Sequence, residues 1–318
     1  MLVREFCDGQ DVDQVLLVRE REVRRAGEGT ETIELALGDR SGVVKAVLDE
    51  GATGLAELCP AGSIVRVTGR YGVDPRHGAQ LTVHALRAAR EEECDLSRLL
   101  DGPPRSAPQM EADLRELLAT VQNPHLRALL DRLLGPESPT WATFREAPAA
   151  KRYHQAYRHG LLEHALSVAQ AVSAISATFP GIDRDVAVTG ALLHDIGKLE
   201  AYTSEPHAID LTDLGKLHGE IPLGYYRIRR LIEDLPGFPA QLAAGVLHII
   251  LAHHGSLEHG SPVVPCTREA TLVHMIDNLG GRLGSFDRLE KALPQGSAWS
   301  GFDRVLGGGA YFGGRAAA

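Results

Sequence analysis

The spacing of apolar residues changes once along this 318-residue chain, and that change restricts the fold more than any other feature of the sequence. Before about residue 90 the spacing is two. Ile33, Leu35 and Leu37 alternate with polar neighbours, as in a half-buried strand. Val15 to Val18 and Val43 to Leu48 are β-rich runs, the second following the turn residues Asp39-Arg40-Ser41-Gly42. Ile64, Val65 and Val67, then Leu81, Val83 and Ala85, give two further strands joined across Asp74-Pro75-Arg76-His77-Gly78. A short helix is expected around Leu55 to Leu58, closed by Pro60 and Gly62. Three strands, a short helix and two strands fit a small OB-type barrel, an order that other small β domains also satisfy.

From about Glu111 the spacing becomes three and four. Leu114, Leu117, Leu118 and Val121 recur at helical intervals, as do Leu126, Leu129, Leu130, Leu133 and Leu134. Further helices are expected over 161–177, 186–196 (with Asp183 as N-cap), 221–235, 240–254 and 269–279. The run Glu91-Glu92-Glu93, then Gly102-Pro103-Pro104 and Pro108, continues neither pattern. The expected organisation is therefore a β domain over 1–92, a linker over 93–112, a helical domain over 113–290 and a loose, Gly- and Ala-rich tail over 291–318.

Charge narrows the function. Lys and Arg total 33 against 42 Asp and Glu, a formal charge of −9, so the chain cannot coat a polyanion through net charge. A polyanion must meet a local basic patch or a metal ion. No uncharged apolar stretch of about 18 residues occurs, which argues against a membrane span. Met1 to Gln10 carries Arg4, Glu5 and Asp8 and lacks the apolar centre of a secretory signal, so the expected location is cytoplasmic. Cys7, Cys59, Cys94 and Cys266 are far apart and form no C-x-x-C pair. Most of the fourteen histidines lie after residue 150, which puts the chemistry in the helical half.

Five segments concentrate histidine and aspartate on otherwise apolar helices: Leu161 to His164, Leu192 to Lys198, Lys216 to Glu220, Ala252 to Gly255, and His274 to Asn278. His194 and Asp195 are neighbours, about 100° apart on a helix, so both can lean toward one point only near a helix end, where Gly197 is expected to place it. An imidazole beside a carboxylate suits Mn²⁺, Fe²⁺ or Mg²⁺. Taken singly, the pair also reads as a cap or salt bridge, and His164 and His253 as satisfied core histidines. Asp277 breaks that reading, because aspartate is rarely buried without a partner. A divalent ion shared by these acceptors removes the cost of burying them together.

The order His164, His194-Asp195, His253-His254 and Asp277 resembles that of the HD-domain metal-dependent phosphohydrolases. Phe144 to Lys151, Tyr157 to His164, Gly255 to Pro265 and Ile276 to Leu279 resemble the YhaM-type 3′–5′ exoribonucleases, which also carry an OB-fold ahead of the HD domain. The resemblance covers nearly the whole chain, most strongly residues 140 to 280. It implies a small all-β OB-fold barrel followed by an all-α HD domain, one or two divalent ions (Mn²⁺ first, with Fe²⁺, Mg²⁺ or Co²⁺ as alternatives), and single-stranded RNA as substrate, with single-stranded DNA as a second candidate.

One departure matters. Where the family usually has Gly-Lys-Leu-Leu-Gly-His-Ile, this chain reads Gly215 to Ile221 with His218 displaced and Glu220 in the ligand position. On one helix two residues differ by about 200°, so one of the two faces a metal, and the unbroken flanks favour Glu220. Gly280-Gly281 after Leu279 also departs from the family continuation.

The resemblance further implies His164, His194, Asp195 and Asp277 around one ion, with Asp195 bridging to Glu220, His253 and His254 if a second binds. Asp195 and Lys198 are the expected catalytic pair, the lysine neutralising phosphate charge, although it also reads as a helix C-terminal cation. His274 is expected in a supporting role. Lys151, Arg152 and Arg158 are candidates for the RNA entrance, and Lys45, Arg66, Arg70, Tyr71, Arg76 and His77 for contacts on the barrel. With 5% aromatic residues and little besides Tyr71 to stack on, barrel affinity is expected to be mainly electrostatic. The expected activity is 3′–5′ exonucleolytic phosphodiester hydrolysis. Hydrolysis of small nucleotides and a decayed, merely nucleic-acid-binding HD site are the rival readings.

Overall fold

The computed structural model describes residues 1–25, 31–48, 59–74, 78–151, 155–203, 209–293 and 297–313. The chain divides into two compact units, one formed by Met1–Asp101, Leu289–Gly301 and Tyr311–Ala318, the other by Gly102–Arg288 and Phe302–Ala310.

The first unit is built on five strands: β1 (Asp11–Arg25), β2 (Glu31–Asp39), β3 (Gly42–Leu48), β4 (Ile64–Asp74) and β5 (Gly78–Ala88). They close into a barrel in the order β1-β2-β3-β5-β4, antiparallel except for the β3–β5 pair. All five strands expected from alternation are present, and the order is OB-like. Strand β1 runs well beyond Val15 to Val18. Its first half pairs with β4 up to Leu17 and its second half with β2 from Leu17 onward, with a register shift between Val18 and Glu20. One strand thus serves two neighbours, and the shift bends it between them. Val12, Leu16, Val18, Leu35, Val67 and Leu81 fill the interior, each 2% exposed or less. At Gly69, where β4 shifts register against β5, a Cβ would lie 2.2 Å from the Thr82 carbonyl oxygen, so only glycine fits. The helix expected around Leu55 to Leu58 lies outside the described residues.

A short helix, α1 (Leu96–Leu99), ends the first unit's leading segment. The second unit is helical: α2 (Ala107–Ala119), α3 (Pro124–Leu134), α4 (Pro139–Glu146), α5 (Gly160–Ser176), α6 (Arg184–Leu193), α7 (Lys198–Ala201), α8 (Asp213–His218), α9 (Glu220–Glu233), α10 (Ala240–Ala252) and α11 (Arg268–Lys291), whose last three residues group with the barrel unit. Ser106, Asn123 and Ser138 cap α2 to α4, each with proline in the first turn. Asp183 caps α6 as expected, its carboxylate accepting from the Val186 N–H at 3.1 Å.

Helix α5 is apolar nearly all round, with Leu161, Leu162, Ala165, Leu166, Ala169 and Val172 at most 1% exposed. Such a helix is interior, and any polar side chain on it is taken out of water. Helix α11 runs 24 residues, twelve beyond the expected end at Leu279, with Gly280 and Gly281 inside it. The tail expected to be loose is pinned in its described part. Asp303 accepts from the Val305 and Leu306 N–H groups at 3.0 Å and from Arg288. No helix among the described residues is long and apolar enough to cross a membrane.

Candidate metal centre

Four helix ends and two helix interiors bring the cluster together. His164 lies in the second turn of α5 and Asp277 in the middle of α11. His194 follows the last residue of α6 and His253 the last residue of α10, each as its C-cap. There the chain leaves helical spacing, so the next residue (Asp195 or His254) leans the same way. Lys198 opens α7 and Glu220 opens α9. Gly197 makes the last approach possible, because a Cβ on it would lie 1.9 Å from the Glu220 carbonyl oxygen and 2.5 Å from the Gly224 nitrogen.

The geometry falls into two groups that share one carboxylate. In the first, His164 Nε2 is 3.1 Å from His194 Nε2, 3.2 Å from Asp195 Oδ2 and 3.1 Å from Asp277 Oδ1. His194 Nε2 is 3.3 Å from Asp195 Oδ2 and 3.8 Å from Asp277 Oδ1. In the second, Asp195 Oδ1 is 3.5 Å from His253 Nε2, and His254 Nε2 is 3.5 Å from Glu220 Oε1. The ligand atoms of Glu220, His253 and His254 lie within 4.8 Å of one another.

The outer nitrogens fix what the inner ones offer. His194 Nδ1 lies 2.7 Å from the Ala191 carbonyl oxygen, His253 Nδ1 2.8 Å from that of Ile250 and His254 Nδ1 2.9 Å from that of His259. His164 Nδ1 meets Gln155 Oε1 at 3.0 Å. These oxygens only accept, so each Nδ1 carries a proton, and a ring that is neutral turns its Nε2 lone pair inward. Lone pairs facing one another and facing carboxylates repel. Asp195 Oδ1 and His253 Nε2 are buried and lack any hydrogen-bond partner. Orphaned acceptors of this kind are costly in protein interiors, and a divalent cation is the group that would satisfy them all.

The titration of the groups expresses the same shortage of positive charge. Burial depresses His164, but Asp195 and Asp277 outweigh it and carry its pKa up to about 9. Burial opposes ionisation of Asp195, yet Lys198 and His194 hold it well below the usual carboxylate range. Asp277 is likewise held down, against its burial, by His164 and His194. Lys198, with Nζ 2.7 Å from Asp195 Oδ2, is raised by Asp195 and Glu220 in spite of burial. Burial raises Glu220. Burial and the neighbouring His253 push His254 down to about 4, so its ring is neutral at neutral pH.

Comparison with known proteins places this site in a family. The model of the HD domain matches residues 161–281, the span that holds every side chain of the cluster. The chain is 31% identical over 288 residues, 90% of its own length and 87% of the relative's, to the 3′–5′ exoribonuclease YhaM of Geobacillus sp. (strain WCH70). The chain belongs to the YhaM family.

Against the family pattern, the displaced histidine finds a structural reason. His218 ends α8 and is exposed, Gly219 follows with φ +75°, and Glu220 begins α9. The two residues lie on separate helices, so the expectation that they share one helix is corrected, and Glu220 is the one inside the cluster. His274 supports the second group: its Nδ1 lies 2.7 Å from the His253 carbonyl oxygen, and its ring fills the space beside Gly255.

Carboxylates engage the basic candidates that are described. Lys151 pairs with Asp210 at 2.6 Å and Arg158 with Glu146. On the barrel, Lys45 pairs with Glu34 at 2.9 Å, Arg66 with Asp13 at 2.8 Å and Glu93 at 2.7 Å, and Arg70 with Asp11 at 3.4 Å. Tyr71 is partly buried edge-on against Phe6, with ring centroids 5.6 Å apart. Arg76, His77 and Arg152 lie outside the described residues. Gln155 is the residue that sequence reasoning missed. It precedes α5 with φ +59°, and no periodicity marks it.

Proposed function

We propose that this chain is a metal-dependent 3′–5′ exoribonuclease that shortens single-stranded RNA. The observation that carries the reading is the pair of orphaned acceptors, Asp195 Oδ1 and His253 Nε2, buried where three imidazole lone pairs and the carboxylates of Asp195 and Asp277 converge. His164, His194, Asp195 and Asp277 would hold one ion. Asp195, Glu220, His253 and His254 would hold a second. The donor set contains imidazole and carboxylate without thiolate, which suits Mn²⁺, with Fe²⁺, Mg²⁺ and Co²⁺ as alternatives. A divalent ion bound here supplies an activated water and neutralises the non-bridging phosphate oxygens.

The chain's own groups do the rest. The carbonyls of Ala191, Ile250 and His259 hold three rings in the tautomer that presents Nε2, and Gln155 does so for His164. Lys198 lies with its ammonium on Asp195 and 12% exposed, within reach of a phosphate oxygen entering beside that carboxylate. Helices α5, α6 and α10 bury apolar residues in one common core, which holds the ligand-bearing segments in place. Hydrolysis of small nucleotides is disfavoured because the likeness to the exoribonuclease covers 90% of the chain, barrel included. A decayed site is disfavoured because Glu220 still offers a half-buried oxygen donor beside His253 and His254.

The test uses RNA labelled at its 5′ end and incubated with Mn²⁺. A ladder of products shortened from the 3′ end supports the reading. Cleavage confined to small nucleotides would overturn it.

A further inference from the structure

Among the described residues, the basic side chains expected to grip RNA are held by carboxylates, and the chain as a whole is acidic. A second kind of nucleic-acid contact needs no net charge, and the barrel-bearing unit displays its raw material. Trp299 and Tyr311 are 59% and 57% exposed, with ring centroids 4.8 Å apart and planes inclined at 47°. Their backbone is fixed. The two residues form an antiparallel bridge, the Phe312 N–H donates to the Ala298 carbonyl at 2.8 Å, and the Ser297 hydroxyl donates to the Trp299 carbonyl at 2.8 Å. The rings are therefore presented to water from a bridged backbone, and each has only two side-chain torsions to fix on binding.

We propose that the Trp299–Tyr311 pair is a stacking site for the bases of single-stranded RNA. The proposal rests on the exoribonuclease reading of the metal centre and adds a contact that reading does not supply. Every base offers a π-face, so such a site tolerates any sequence, as an enzyme that shortens RNA nucleotide by nucleotide from an end requires. It also works on an acidic protein, because stacking releases no counterions. Two rings expose far less than the roughly 800 Å² per partner of a stable dimer. They match instead a thin, linear ligand that lays one or two bases on the outer faces of the rings.

Trp299 reports on itself. The chain has two tryptophans, and Trp141 is 7% exposed, stacked on Phe144 beneath the Arg115 guanidinium. The full chain is titrated in EDTA, where RNA is not consumed, with a ten-nucleotide oligoadenylate while tryptophan emission is followed. Quenching of the exposed tryptophan is expected. Affinity should fall about tenfold in Trp299→Ala and in Tyr311→Ala, and less in Trp299→Phe. The dependence on salt should change little between wild type and variants. Unaltered Trp141 emission and melting confirm that each variant is folded. Binding that leaves emission unchanged, or equal affinity in wild type and Trp299→Ala, overturns the inference. So does a variant that loses self-association but keeps its RNA affinity. A wild type that shortens RNA from the 3′ end while Trp299 stays silent overturns this inference alone. A wild type that shortens no RNA overturns the reading on which it rests.

Discussion

The barrel and the helical unit treat charge in opposite ways. On the barrel, Lys45, Arg66 and Arg70 lie at the surface and each has a carboxylate beside it. Within the helical unit, His164, His194, Asp195 and His253 are 4% exposed or less and crowd their ligand atoms together, and Asp195 Oδ1 and His253 Nε2 have no hydrogen-bond partner. A balanced surface network is scaffolding that water and salt can replace. An unbalanced buried cluster is destabilising as it stands, and its persistence points to a ligand. Function is therefore written where the polar groups fail to satisfy each other.

The strongest way to break this contrast is Asp195→Ala, which removes the carboxylate common to both groups. Turnover of RNA with Mn²⁺ should fall by more than about 100-fold, beyond the loss usual when only a supporting partner of a ligand is removed. A smaller loss would mean that the two groups act independently. Next comes the pair Glu220→Ala and His218→Ala. The first should lower activity and bound Mn²⁺ by about tenfold or more, and the second should leave both within error, measured by the same turnover and by elemental analysis. The reverse outcome would return the ligand role to the exposed histidine.

A pH series sharpens the contrast with a smaller effect. In metal-free protein His164 titrates near 9, above its value of about 6.5 when unfolded. Its contribution to stability is fully present below about pH 6.5 and is lost as pH rises through 9. Thermal melts in EDTA should therefore fall by a few degrees across that window. Melts with excess Mn²⁺ should not, because deprotonated ligands bind the ion better. Parallel curves would show that His164 is not shared between proton and metal. The smallest effect belongs to the barrel. Lys45→Gln, breaking one surface pair, should change stability by no more than about 1 kcal/mol in a urea melt.

Much of this was legible in the sequence, for physical reasons. Alternation marks β2 to β5, and apolar three-and-four spacing marks the helices, because both patterns follow from burying one face. Strand β1 was only partly legible, since residues 19–25 are mostly charged and gain their strand pairing from β2 rather than from their own pattern. The end of α11 was hidden by Gly280 and Gly281, poor helix formers that the rest of the helix carries. Histidine and aspartate on apolar helices marked the cluster, because such residues need a reason to be there. Gln155 was not legible: its role depends on a left-handed turn outside any helix. The partners of Arg66, Asp13 and Glu93, come from distant positions that only the closed barrel juxtaposes.

Equilibrium dialysis of the full chain against Mn²⁺, beside folded Asp195→Ala, addresses the contrast at its root. Wild type should retain at least one ion per chain at micromolar free metal, and the variant should retain none. Equal retention by both proteins, or none by either, would contradict the account.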